Sequence, residues 1–241
     1  MNLTIHEASL FMHKLDKLIT KRPGVEVVVA PSFLALPSLS LQAEHAKFKL
    51  AAQDFYWRDE GAYTGEVSAH QLHGLVKYGL VGHSERRYVF NEKGREIRSK
   101  VQAAFRNNII PVLCIGESLG ERMEGETLDI LHDQIVEGMT NITSTEAADM
   151  VIAYEPAWAI GTGKTPTPDE VEQAVKSIRS QVKHLFGDET AQKIRVLYGA
   201  SVTSDNAMGF LQVAGVDGLL VGRDSLDAQA FSGIVNKAQG L

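Results

Sequence analysis

Seven short apolar runs recur along this chain, each followed by a stretch of helical period: Val25 to Ala30, Phe48 to Asp54, Tyr78 to Gly82, Ile109 to Ile115, Val151 to Tyr154, Ile194 to Tyr198 and Asp217 to Val221. Runs that are apolar and partly β-branched suit strands covered on both faces, as in a parallel sheet. Helices are expected over Met1 to Lys21, with Leu3, Phe11, Leu15, Leu18 and Ile19 on one face, and over Ser38 to Ala46 and Ser68 to Lys77. Further ones are expected over Lys93 to Asn107, Thr127 to Gly138, Pro168 to Phe186, Ser204 to Val213 and Ala228 to Ala238. No composition break interrupts this alternation, which predicts one α/β domain over residues 1–241. A parallel barrel is the economical closure. A doubly wound open sheet is the alternative, but no Gly-rich dinucleotide turn follows the first run.

In a parallel barrel the functional residues lie on the loops after the strands. Asp54, His83, Glu117, Glu155, Ser201 and Gly222 all fall there. The run Val151 to Tyr154 ends in Glu155 because Pro156 cannot lie in a central strand. A carboxylate at the tip of a buried strand is partly desolvated, which suits a general base near neutral pH; the plain reading is a solvated acid at a loop start. The loop from Pro156 to Lys164 carries Trp158 and Ile160 beside Gly161 and Gly163, which suits a lid that closes apolar groups over a ligand. Gly163-Lys164-Thr165 is not a P-loop, because that motif needs a glycine where Trp158 stands.

Tyr198-Gly-Ala-Ser201 and Val221-Gly-Arg223 follow the last two runs, where barrels hold phosphate on backbone N–H groups. With Gly161 they suit an anion cradle, although each piece taken alone reads as a plain turn. His83 reads either as a satisfied core histidine or as a strand-end imidazole facing the base and polarising a carbonyl. A base and a neutral electrophile suit proton abstraction next to a carbonyl. His70 and His73 lie i,i+3 on one helix and read as solvated, since nothing supplies the remaining ligands of a metal. The formal net charge of -6 argues against nucleic acid as partner. Cys114, the single cysteine, reads as a buried hydrophobe in a reducing compartment. No apolar leader or membrane-length run appears, which makes a cytoplasmic protein without a membrane partner the expectation.

Gly82-His-Ser-Glu-Arg-Arg87, Ala153-Tyr-Glu-Pro156, Ala159-Ile-Gly-Thr-Gly-Lys164 and Tyr198-Gly-Ala-Ser-Val202 resemble, in order, the signatures of the triosephosphate isomerase family. The resemblance runs along nearly the whole chain. It implies a (β/α)8 TIM barrel that interconverts dihydroxyacetone phosphate and D-glyceraldehyde 3-phosphate in glycolysis and gluconeogenesis, without cofactor or metal. That family is itself a standard case of a glutamate base, a neutral histidine electrophile and a closing loop, so those roles come with the resemblance. They fall on Glu155, His83 and Pro156 to Lys164. Glu85 matches the acid beside the histidine, and Gly161, Ser201, Gly222 and Arg223 match phosphate contacts. The loop Gly61 to Glu66 resembles one that enters a neighbouring subunit, which implies a homodimer.

Three features depart from the family pattern. The family's first strand ends in Asn-x-Lys just before a Met-Asn pair, whereas this sequence starts at Met1-Asn2. The expectation is a natural chain longer than this one, which a native mass of 26.4 kDa would overturn. Seven strands would leave the sheet open, with edges at the Val25 and Leu219 runs. The resemblance implies that the lysine and asparagine of the family's first strand are catalytic. Loss of one such preorganised electrostatic group costs on the order of 10²- to 10³-fold, so turnover at no useful rate is expected of the chain as written. Arg223 and Ala200 stand where the family has glycine. Arg223 opens two alternatives, isomerisation of another short aldose phosphate and a non-catalytic phosphate-binding barrel.

Overall fold

The structure, a computed structural model, describes residues 1–20, 23–43 and 47–240. Its strands are β1 (Val28–Val29), β2 (Lys49–Ala52), β3 (Tyr78–Val81), β4 (Ile110–Ile115), β5 (Val151–Tyr154), β6 (Arg195–Ala200) and β7 (Gly218–Val221). All pair in parallel and in chain order, and among the described residues the sheet stays open between β7 and β1. The helices are α1 (Ile5–Leu18), α2 (Leu36–Ala43), α3 (Ala69–Leu72), α4 (Ser84–Tyr88), α5 (Gly94–Arg106) and α6 (Leu119–Met123). They continue as α7 (Thr127–Gly138), α8 (Ser144–Asp149), α9 (Pro168–Phe186), α10 (Asp188–Lys193), α11 (Ala207–Leu211) and α12 (Ala228–Ala238).

Local chemistry sets these boundaries. α1 starts four residues later than expected because Thr4 and Glu7 form a reciprocal capping box. Its buried stripe is Ala8, Met12 and Leu15, continued by Ile19 just beyond its end, while Phe11 and the preceding Leu3 are only partly covered. The expected ends of this helix at Lys21 and of the next at Ala46 lie outside the described residues. α3 is capped by Ser68, as the sequence indicates, but stops at Leu72, two residues before Gly74 turns to φ +80°. α9 runs from Pro168 to Phe186 as expected, capped by Thr167 with Pro in its first turn. β1 is only two residues long and pairs with β2 alone.

Alternate strand residues fill two layers, as a parallel sheet covered on both faces requires. Leu113, Ile115, Ile152 and Tyr154 pack towards the helices, while Val112, Cys114, Val151 and Ala153 join Ala51 and Tyr78 in a second cluster. Cys114 is fully buried there. At the N-terminal strand ends Glu26 accepts from the Tyr78 hydroxyl at 2.5 Å and from Arg195 at 2.8 Å, and pairs with Lys49. Burial opposes its charge, but these three donors outweigh that and hold its pKa down to about 2. Arg195 opens β6 and Glu26 precedes β1, so the pair reaches across strands that share no ladder. Outside the sheet, α1 packs on α12 and Gln239 donates to the Thr20 carbonyl at 2.6 Å. The helical layer is therefore continuous where the sheet is not.

Candidate active site

Glu155 leaves β5 with its N–H on the Ile115 carbonyl at 2.7 Å and is only 3% exposed. Two glycines make room for it. A Cβ on Gly116 would lie 1.9 Å from the Glu155 carbonyl oxygen, and one on Gly199 would touch the Glu155 Cγ at 3.4 Å. The carboxylate turns to β3: Oε1 sits 3.1 Å from His83 Nε2, and Oε2 accepts the Ser84 N–H at 3.1 Å. His83 reaches this place because Gly82 takes φ +69°, after which the chain enters α4 with His83 as its cap.

The imidazole is oriented from both sides. Its Nδ1 accepts the Glu85 N–H at 3.3 Å, which assigns the remaining ring proton to Nε2, facing Glu155. Burial disfavours the imidazolium, but the hydrogen bond and charge of Glu155, with a smaller contribution from Glu85, raise the His83 pKa above its ordinary value. The Glu85 carboxylate is exposed in the first turn of α4, and it is its backbone N–H that touches His83.

Asp54, also at a strand end, turns away from this pair. It meets Lys100 at 2.5 Å and Arg86 at 3.2 Å, and both cations also bind Glu92. The covering loop is anchored by a residue whose part the sequence did not reveal. Glu117, fully buried, accepts the Trp158 indole N–H at 2.8 Å and the Tyr154 hydroxyl at 3.2 Å, while the Arg122 guanidinium stacks 4.2 Å from the Trp158 ring centre. Tyr154 is pushed well above the ordinary phenol range, by burial first and then by Glu117.

Ser201 donates its hydroxyl to the Ala159 carbonyl at 2.7 Å, tying the loop to the end of β6. Ala200 pairs with Val221, so Ser201 and Gly222 leave the sheet side by side. Gly161 is exposed at φ +70° on the loop, with nothing within 4 Å of its missing Cβ, and Gly222 is equally open. Arg223 is exposed and opens a 3-10 turn to Leu226. His70 and His73 are exposed and contact Asn107. Among the described residues no group of three His, Cys, Asp or Glu is placed to hold a metal, and no helix is long and apolar enough to cross a membrane.

A curled parallel α/β sheet with a carboxylate and an imidazole in contact beyond its C-terminal edge defines a barrel enzyme. Residues 1–238 match the family model described as Triosephosphate isomerase, and the chain belongs to that family. It is 43% identical over 241 residues to the triosephosphate isomerase of Moorella thermoacetica, covering 99% of this chain and 96% of that protein. Similarity to the enzyme of Citrifermentans bemidjiense is 40% over 237 residues, with 98% and 94% covered. That to the enzyme of Geotalea uraniireducens is 43% over 233 residues, with 96% and 93% covered.

Proposed function

We propose that the chain interconverts dihydroxyacetone phosphate and D-glyceraldehyde 3-phosphate, with Glu155 moving the proton between adjacent carbons. The observation that carries this is the 3.1 Å contact between the Glu155 carboxylate and His83 Nε2 at the C-terminal edge of the sheet. A substrate entering between them takes over both groups. Glu155 removes the proton next to the carbonyl, and His83 directs Nε2–H to the oxygen that gains charge. The hydroxyl proton passes from the oxygen that becomes the new carbonyl to the other oxygen by way of His83, and Glu155 returns its proton to the neighbouring carbon. Ser84 N–H steadies the carboxylate, and Glu85 holds the ring through its own N–H.

Backbone N–H groups at Gly161, Ser201 and Gly222 bind the phosphate, and the Arg223 side chain adds a cation at the rim. The Trp158 anchor on Glu117 gives the loop a defined resting place from which it covers the substrate. A second copy of the chain is the expected partner, through the exposed loop Gly61 to Glu66, whose Tyr63 ring lies 4.6 Å from that of Tyr56 at a tilt of 42°. The setting is cytoplasmic glycolysis and gluconeogenesis. Isomerase activity on glyceraldehyde 3-phosphate, measured for the chain and for Glu155→Gln, tests the reading. Turnover that depends on Glu155 is expected, and a folded chain with none overturns it. Sedimentation showing only monomer would overturn the dimer.

A further inference from the structure

Arg87 is half-buried on α4, one turn after His83, and its own N–H bonds the His83 carbonyl at 3.1 Å. Its guanidinium turns back beneath the helix. Nε donates to the Gly82 carbonyl at 2.7 Å and Nη2 to the Cys114 carbonyl at 2.8 Å, so both side-chain hydrogen bonds go to backbone oxygens and neither to a carboxylate. These carbonyls lie one residue beyond Val81 and Leu113, the last pair of the β3–β4 ladder, while β4 itself runs on to Ile115 against β5. The side chain thus continues the connection where the ladder stops.

Both points lead directly to the reacting groups. Gly82 precedes His83, while Cys114 leads through Ile115, which holds the Glu155 N–H, to Gly116, which lies against the Glu155 carbonyl. Gly82, Ser84, Arg87, Cys114, Gly116 and Glu155 line a gap too small to hold a water molecule. Packing this close passes a displacement where the ladder ends on to its neighbours. Burial weakens the charged form of Arg87, while the carboxylates of Glu92 and Glu155 favour it.

We propose that Arg87 is a positioning residue for the isomerase reaction, clamping β3 to β4 where their ladder ends so that His83 and Glu155 keep their spacing. The proposal rests on the isomerase reading above. Arg87→Met keeps the stem and removes charge and donors, and Arg87→Lys keeps charge with fewer donors. In folded Arg87→Met, kcat is expected to fall about ten- to a hundredfold, the cost of a small misplacement of reacting groups, with KM nearly unchanged. The 15N resonances of the His83 ring should shift in the same variant, and Arg87→Lys should recover part of both. A kcat within about twofold of the parent with unmoved His83 resonances would sink the proposal, as would an effect on KM alone. If Arg87→Met does not fold, Arg87→Lys decides: parental kcat and parental His83 resonances overturn the clamp. If the unaltered chain shows no turnover, the isomerase reading fails, and the His83 resonances alone still decide for or against the clamp.

Discussion

In β5 every residue is buried, whereas in β7 every residue is only half-buried, although both read as apolar runs. The difference is neighbours. β5 has a ladder on each side and helices over it, while β7 pairs with β6 alone and faces the seam towards β1. Composition specifies what a strand can bury; pairing decides what it does bury. The two regions also divide the proposed work. Glu155 and His83 stand on the fully paired β5 and β3, whereas Gly222 and Arg223 stand at the seam. A reacting group needs fixed coordinates, while a phosphate held by several N–H groups and a flexible cation tolerates more play.

The largest expected effect breaks the paired side at its chemistry. Glu155→Gln should lower kcat by about 10³-fold, roughly 4 kcal/mol of barrier, in a direct isomerase assay. The same variant should change stability against pH. His83 titrates higher folded than unfolded, so its contribution is present below about pH 6.5 and is lost as pH rises through the folded value. Removing the Glu155 charge should flatten that slope.

Next comes a matched pair of truncations. Ile152→Ala in β5, where the side chain is fully buried, should cost about 3–4 kcal/mol, and Leu220→Ala in β7 less than half of that, by urea unfolding. Equal costs would show that the seam is as tightly packed as the paired side. Smaller still is Glu26→Gln, which loosens the bridge from β1 to β6 and should cost about 1–2 kcal/mol at neutral pH. Glu26 titrates lower folded than unfolded, so the gap should persist above about pH 4.5 and close as pH falls towards 2. The least effect is expected of Arg223→Gly, a few-fold rise in KM at low salt that fades as salt screens the exposed charge.

Much of this was legible in the sequence because a parallel sheet writes each strand as an apolar run and each function as a polar residue just after it. That pattern puts Glu155 and His83 at strand ends, but it leaves His83 open to a core reading, and their pairing comes with the family resemblance. The short helices α6 and α8 were missed, although Ser118-x-x-Glu121 and Thr143-x-x-Glu146 are capping boxes that announce them. α4 gave no such signal, since its cap is His83, and α10 follows α9 after the single Gly187. Glu117 as the anchor of Trp158, and the bridge of Glu26 to Arg195, join residues 41 and 169 positions apart. Such contacts depend on how the sheet curls, which no local pattern encodes.

Gly116 shows what close packing means for variation in this family. It carries no functional group, yet any side chain there would overlap the backbone of the residue proposed as base. The constraint on position 116 is thus a constraint of volume, inherited from its neighbour on the next strand. A survey of tolerated substitutions should find it as intolerant as position 155, and should find Gly222, with open space where its Cβ would be, far more permissive.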